Sequence, residues 1–201
     1  MIYVEYVQRD RHMPIEIFRA FGDQAAWDDP NDRLVLNIGR TLRLGPHPAY
    51  MAFWKCAHVM RRLDEWEEHF RSDHALKDAG ENATHKTIWL SDAGCFDEVV
   101  EGPMADAKGL QYVEFFQAPA EVANEAVAAH FKARAGKHPK GVLNHVVRRI
   151  GLLAPSAMGD MAVWTFPDYV ALEAILREEH AEGPLTPTMA GAYRRFGREI
   201  L

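Results

Sequence analysis

The chain says nearly the same thing twice. Tyr3-Val4-Glu5-Tyr6-Val7-Gln8 returns as Tyr112-Val113-Glu114-Phe115-Phe116-Gln117. Further echoes follow in the same order: Leu34-Val35-Leu36-Asn37 as Gly141-Val142-Leu143-Asn144, Phe53-Trp54 as Val163-Trp164, and Ala93-Gly94-Cys95-Phe96 as Ala190-Gly191-Ala192-Tyr193. Tyr3 and Tyr112 stand 109 positions apart, Asn37 and Asn144 107, and Trp54 and Trp164 110. A hexapeptide repeated by chance would not keep so steady an offset through later segments. Two copies of one unit of roughly 100 residues are therefore expected. The first spans residues 1–106, with residues 73–90 as an insertion, and the second spans 107–201.

Each copy has the same order of elements. Residues 2–7 are β-branched and aromatic and read as a strand. Pro14, Ile17, Phe18 and Phe21 have helical spacing, with the proline allowed in the first turn. Over residues 33–44 the apolar residues alternate, and after Gly45-Pro46-His47-Pro48 the segment 49–56 returns as the second arm of a hairpin. Leu63, Trp66 and Phe70 mark an amphipathic helix over 61–71. The second copy offers a strand over 110–116, an Ala-rich helix over 121–132, a strand pair over 142–153 and 158–165, and a helix opened by Pro167-Asp168-Tyr169. Residues 95–101 and 193–201 read as closing strands. Strand, helix, strand, strand, helix, strand is the split βαβ or ferredoxin-like unit. Helices cover one face of such a sheet, and the other apolar face also has to be covered. Two units in one chain do this by turning their bare faces together. The expected fold class is α+β: two tandem ferredoxin-like units forming an intramolecular barrel.

Composition excludes several functions. The chain has 201 residues, of which 48% are hydrophobic, and a formal net charge of -6. That charge argues against a broad affinity for nucleic acid. Cys56 and Cys95 lie in apolar surroundings and read as small buried residues of a reducing compartment. No signal peptide or membrane-spanning apolar run is present, so a cytoplasmic location with no membrane partner is expected. Gly-rich nucleotide loops, a Gly-x-Ser-x-Gly elbow, His-x-x-x-His and Cys-x-x-Cys are all absent. Asp28, Asp29 and Asp32 lack calcium-loop spacing and read as a turn.

With this element order and the Tyr-x-Glu opening strands at Tyr3/Glu5 and Tyr112/Glu114, the chain resembles the dimeric α+β barrel superfamily in its fused form, and within it the NIPSNAP-like branch. The resemblance implies a barrel that receives a small, largely apolar organic molecule. Its members include monooxygenases, isomerases and cyclases that need no cofactor, proteins with no known activity, and haem-handling enzymes, so fold alone does not choose the reaction. The leading expectation is a small-molecule-binding protein or enzyme with no cofactor and no metal. The alternatives are a non-catalytic stress-response or scaffold module with a packed barrel, and a haem protein whose axial histidine is His138 or His145. A homodimer built through exposed strand edges or helix faces is a further option.

Side chains alternate across a strand. If Val4, Tyr6, Val113 and Phe115 meet the helices, then Tyr3, Glu5, Tyr112 and Glu114 look into the barrel. There the two glutamates would serve as acid or base, with Tyr3, Tyr112 and His145 as further catalytic candidates. The bland alternative pairs each glutamate with an arginine, such as Arg40, Arg148 or Arg149, or leaves it at a solvated strand end; Arg40 is also a candidate ligand contact. Trp54 and Trp164 either wall a ligand cavity or fill core. Asn37 and Asn144 interrupt apolar strands, so each either serves a bulge or loop or orients a ligand. The other histidines read as surface residues.

Overall fold

The computed structural model describes residues 1–7, 33–41, 50–61, 64, 92–103, 108–151, 159–178 and 183–195. The strands are β1 (Ile2–Val7), β2 (Arg33–Arg40), β3 (Tyr50–Lys55), β4 (Asp92–Glu101), β5 (Leu110–Phe116), β6 (Val142–Arg149), β7 (Asp160–Phe166) and β8 (Met189–Arg195). Helix α1 (Asn124–Lys137) lies between β5 and β6, and α2 (Tyr169–Leu176) between β7 and β8. All neighbouring strands are antiparallel and close into one barrel in the order β1-β3-β2-β8-β5-β7-β6-β4. The protein is thus an α+β fold around a closed eight-stranded antiparallel barrel. A closed barrel has no free edge to protect. No described helix is long and apolar enough to cross a membrane. The helix expected over 14–21, the insertion, and most of the helix expected over 61–71 lie outside the described residues.

Local chemistry moves several boundaries. Helix α1 begins later than its composition suggests, because Val122 N first closes a turn onto Pro119 O. It then runs through Gly136 and stops next to Pro139, which disfavours helix at His138. Asp168 caps α2, its Oδ1 accepting from Ala171 N at 2.7 Å. Strand β8 starts at Met189 rather than Tyr193, since β5 offers it partners from Leu110 to Phe115. Strand β6 ends at Arg149, just before Gly151 with φ 56°.

The two halves pair in matching registers. Tyr3 lies between Trp54 and Cys95, and Tyr112 lies between Trp164 and Ala192. The seams joining the halves also match: Phe96 pairs with Arg149 across β4–β6, and Tyr193 with Arg40 across β8–β2. One expectation needs correction. Strand β3 skips Val35 of β2, and β7 skips Asn144 of β6. Asn144 therefore answers to Val35, while Asn37, opposite Ala52, answers to Val146, opposite Ala162. The two asparagines are not equivalents. A short apolar tetrapeptide aligns in two registers equally well, and only the strand pairing decides.

The faces are also reversed. Val4, Tyr6, Phe53 and Phe96 of the first half form one buried cluster with Val113, Phe115, Val163 and Tyr193 of the second. Only inward-pointing side chains of both halves can meet in this way, so these line the barrel interior. Tyr6 Oη donates to Met161 Sδ at 3.8 Å, linking non-adjacent strands. Gly191 leaves room for the Tyr193 ring, whose Cε2 would stand 2.9 Å from a Cβ there. Tyr112, Phe116, Trp164 and Phe166 instead point outward, under Val127 and Phe131 of α1 and Leu172 and Ile175 of α2. Tyr3 and Trp54 likewise form an outer cluster with Cys56, Val59 and Cys95. The more apolar set took the interior because the middle of a barrel offers few polar partners, whereas the Tyr-x-Glu face of β5 meets an arginine from α1.

Candidate functional site

Two polar clusters come out of this arrangement. The first lies outside the barrel wall, beneath α1. Glu114 is fully buried and receives both arms of Arg134, from Nη1 at 2.8 Å and Nη2 at 3.0 Å. Trp164 Nε1 donates to the same carboxylate at 3.1 Å. Arg134 also donates to Glu178 Oε2, from Nη2 at 2.7 Å and Nε at 3.1 Å, and His138 Nε2 lies 3.1 Å from that oxygen. The guanidinium carbon sits 5.6 Å from the ring centroids of both Phe131 and Trp164. Burial works against the arginine's charge, but the bonds to Glu114 and Glu178 overcome it and raise its pKa. Burial also pushes the Tyr112 phenol upward, and the Glu114 carboxylate adds to the effect, so Tyr112 keeps its proton. This network joins two carboxylates through one guanidinium, and it is saturated except at His138 Nδ1, which is buried with no partner among the described residues.

The second cluster lies inside the barrel. An even number of antiparallel steps separates β1 from β5, so both strands begin at the same end. At that end Gln111, Thr165, His145, Glu98 and Lys55 each stand two residues from an interior side chain, namely Val113, Val163, Val147, Phe96 and Phe53. By alternation they point inward too. Gln111 and Asn144 are fully buried, and Thr165 and His145 nearly so. Thr165 Oγ1 lies 2.9 Å from Gln111 Oε1 and 2.7 Å from Asn144 Oδ1. Asn144 Nδ2 donates to Pro103 O at 2.8 Å. His145 Nδ1 lies 2.9 Å from Glu98 Oε1, and Lys55 Nζ lies 3.0 Å from Glu98 Oε2 and 2.6 Å from Glu101 Oε1. Burial opposes the Glu98 charge, but the His145 hydrogen bond and the Lys55 ammonium outweigh it, holding that carboxyl below its ordinary range. Bulges at Asn144 in β6 and after Glu98 in β4 re-aim the side chains here.

The expected residues divide between these places. Tyr112, Glu114 and Trp164 belong to the outer network and Tyr3 and Trp54 to the outer face of the first half, so none of them lines the interior. Glu5 pairs in register with Ala52 and Ala93, and its side chain is outside the description. The arginine that meets Glu114 is Arg134, not Arg148, whose guanidinium donates to Val122 O, Pro119 O and Asn124 Oδ1. Arg40 lies on β2 opposite Tyr193, which on its other side pairs with Gln111. Asn37 is half-buried opposite Ala52. His145 and Asn144 do come together at the polar end. His138 and His145 are both buried. Arg134 was overlooked although Val127, Phe131 and Arg134 repeat at helical spacing on one stripe. Glu98 was overlooked although it continues the inward alternation from Phe96. Among the described residues no cluster of three or more His, Cys, Asp or Glu side chains is arranged to hold a metal ion.

Solved structures share this barrel. A presumed monooxygenase from Lactobacillus acidophilus matches with a TM-score of 0.55 and 12% identity, covering 96% of this chain and 92% of that one. An anthrone oxidase-like protein matches with a TM-score of 0.51 and 10% identity, covering 96% and 90% respectively. Neither a family model nor a curated protein sequence matches the chain. At these identities the likeness establishes the α+β barrel fold.

Proposed function

We propose that the barrel interior receives a small organic molecule with an apolar body, and that the polar end is where any proton transfer takes place. The observation that carries this reading is the concentration of nearly buried polar side chains, Gln111, Asn144, His145, Thr165 and Glu98, at one end of an otherwise apolar interior. Burying polar groups is costly unless they are used or fully paired. In this reading His145 acts as acid or base and Asn144 as a ligand contact, while Glu114, Tyr112 and Trp164 hold α1 onto the wall. Tyr3, Trp54, Asn37 and Arg40 then support the barrel rather than the ligand. The chemistry is cofactor-independent and of monooxygenase, isomerase or cyclase type. The matching registers support a fused pair of ferredoxin-like units, divided near residue 106, as the source of the cavity, in the manner of the NIPSNAP-like branch. The descriptions of the two structural neighbours, monooxygenase and anthrone oxidase-like, fit chemistry on small organic molecules.

A second reading has its own observation. The Tyr6–Met161 contact and the near-complete burial of the interior side chains favour a barrel packed shut, serving as a scaffold. One experiment separates the two. Small aromatic compounds are screened by thermal shift against the native protein and against Val163→Phe, which narrows the interior. The ligand reading expects stabilisation by at least one compound class and its loss in Val163→Phe. Absence of any stabilisation, or stabilisation indifferent to Val163→Phe, favours the packed scaffold.

A further inference from the structure

Across the β4–β6 seam, where the halves join, the His145 ring reaches Glu98 although its register partner is Glu101. A seam clamp would be the simplest role for such a pair. The other seam argues against it. At β2–β8 the positions matching His145 and Glu98 hold Leu36 and Arg195, so no such pair can form, and the barrel closes there all the same. The pair is an asymmetric addition to a symmetric register. Its geometry is also one-sided. The contact at 2.9 Å occupies Nδ1, and the described residues supply no partner to Nε2, which is not sealed from solvent. A carboxylate on Nδ1 fixes the ring and its tautomer, putting the proton on Nδ1 and the lone pair on Nε2. Lys55, at 3.0 Å from the second oxygen of Glu98, holds that carboxylate in turn.

Resting on the interior-site reading above, we infer that Glu98 is a positioning residue that makes His145 Nε2 the proton acceptor for a ligand carrying a weakly acidic hydroxyl on an apolar ring. The ligand O–H bond breaks and the Nε2–H bond forms. The electron pair stays on the ligand oxygen, and the imidazolium is stabilised by the Glu98 carboxylate. Proton return restores both partners, and the step consumes no oxidant. Phe53, Phe96 and Tyr193, in the interior core, supply the aromatic surface that would pack on the ring.

The test uses 4-nitrophenol, whose phenolate absorbs visible light, at a pH where the free phenol is mostly protonated. Binding is followed by calorimetry and ionisation by absorbance, for the native protein and for Glu98→Gln, His145→Gln and Val163→Phe. The expected result is phenolate on the native protein, at least about a tenfold smaller bound-phenolate to bound-phenol ratio in Glu98→Gln, and none in His145→Gln, with the fold of each variant checked by circular dichroism. Nitrogen chemical shifts of His145 should also show the Nδ1–H tautomer in the native protein and a mixture in Glu98→Gln, a change that a purely structural clamp would not link to ligand ionisation. Binding that Val163→Phe blocks, but without ionisation or with equal ionisation in all variants, overturns this inference and leaves the interior site standing. No binding, or binding that Val163→Phe does not affect, overturns both.

Discussion

The cluster beneath α1 and the cluster inside the barrel use the same ingredients: glutamates, a histidine and one strong cation. They differ in how far those groups satisfy each other. Beneath α1 the guanidinium of Arg134 spends its donors on Glu114 and Glu178 and is flanked by two aromatic rings. Inside the barrel the cation, Lys55, stands at the rim with 29% of its side chain exposed, and His145 keeps one nitrogen without a described partner. A network whose charges are paired fixes packing, and beneath α1 only His138 Nδ1 is left over among the described residues. A cluster that is buried but unfinished is where a ligand's polar group can take part. Residue type alone would rank the two clusters equally; what separates them is that the guanidinium beneath α1 is enclosed between two carboxylates and two rings, whereas the interior cluster opens at the rim through Lys55.

The hardest test of that contrast is Arg134→Met. It leaves Glu114 buried without a partner charge, a situation that costs roughly 3–5 kcal/mol. Urea unfolding should show the loss directly. Replacing both residues, as in Glu114→Leu with Arg134→Met, should recover much of it, because well-packed apolar groups of similar volume substitute for a buried ion pair. If Arg134→Met costs no more than an exposed substitution, the outer network is not the structural member of the pair.

These roles were only half visible in the sequence. The strands and their order were legible because alternation and turn residues report locally. The echo of Ala93-Gly94-Cys95-Phe96 in Ala190-Gly191-Ala192-Tyr193 agrees with the observed register, in which Cys95 and Ala192 meet Tyr3 and Tyr112. What could not be read was which face turned inward. Both faces of β5 carry aromatics, so burial gives no preference, and the choice falls to Arg134, twenty residues on, through its bond to Glu114. The skipped residue at Asn144 was illegible for a similar reason: a bulge is a property of two strands together. The Glu98–His145 pair spans two strands that join the halves, so nothing local announces it.

The interior cluster should respond more modestly. Asn144 bridges Pro103 O and Thr165, and Asn144→Ala leaves buried groups unpaired, at an expected cost of about 1–3 kcal/mol in unfolding free energy. Acid should reveal both clusters. Glu98 and Glu178 have carboxyls held below their ordinary value of 4.5, in each case against burial and by hydrogen bonds, from His145 and Lys55 to Glu98 and from Arg134 and His138 to Glu178. A depressed carboxyl contributes its full stability above the unfolded value and loses it as pH falls through the folded one. Stability should therefore drop as pH is lowered past the ordinary carboxyl range, and Glu98→Gln should make that drop shallower. The result to be feared is an identical acid profile in Glu98→Gln, since the interior carboxylate would then not be ionised through its partners.

The smallest expected effect calibrates the rest. Glu173 and Arg177 form an ion pair at 2.6 Å at the C-terminal end of α2, closer than most contacts in either cluster, yet 53% and 76% of their side chains are exposed. Water screens such a pair, and holding two long side chains in place has an entropic cost, so Glu173→Gln should change stability by only about 0.3–0.5 kcal/mol and less at high salt. Chemical denaturation at low and high ionic strength can measure this beside Arg134→Met. The contrast drawn between the clusters depends on burial and completeness of pairing rather than on the closeness of opposite charges. A loss at Glu173 comparable to that at Arg134 would mean that proximity alone sets the energy, and the saturated and unfinished clusters could then no longer be told apart on energetic grounds.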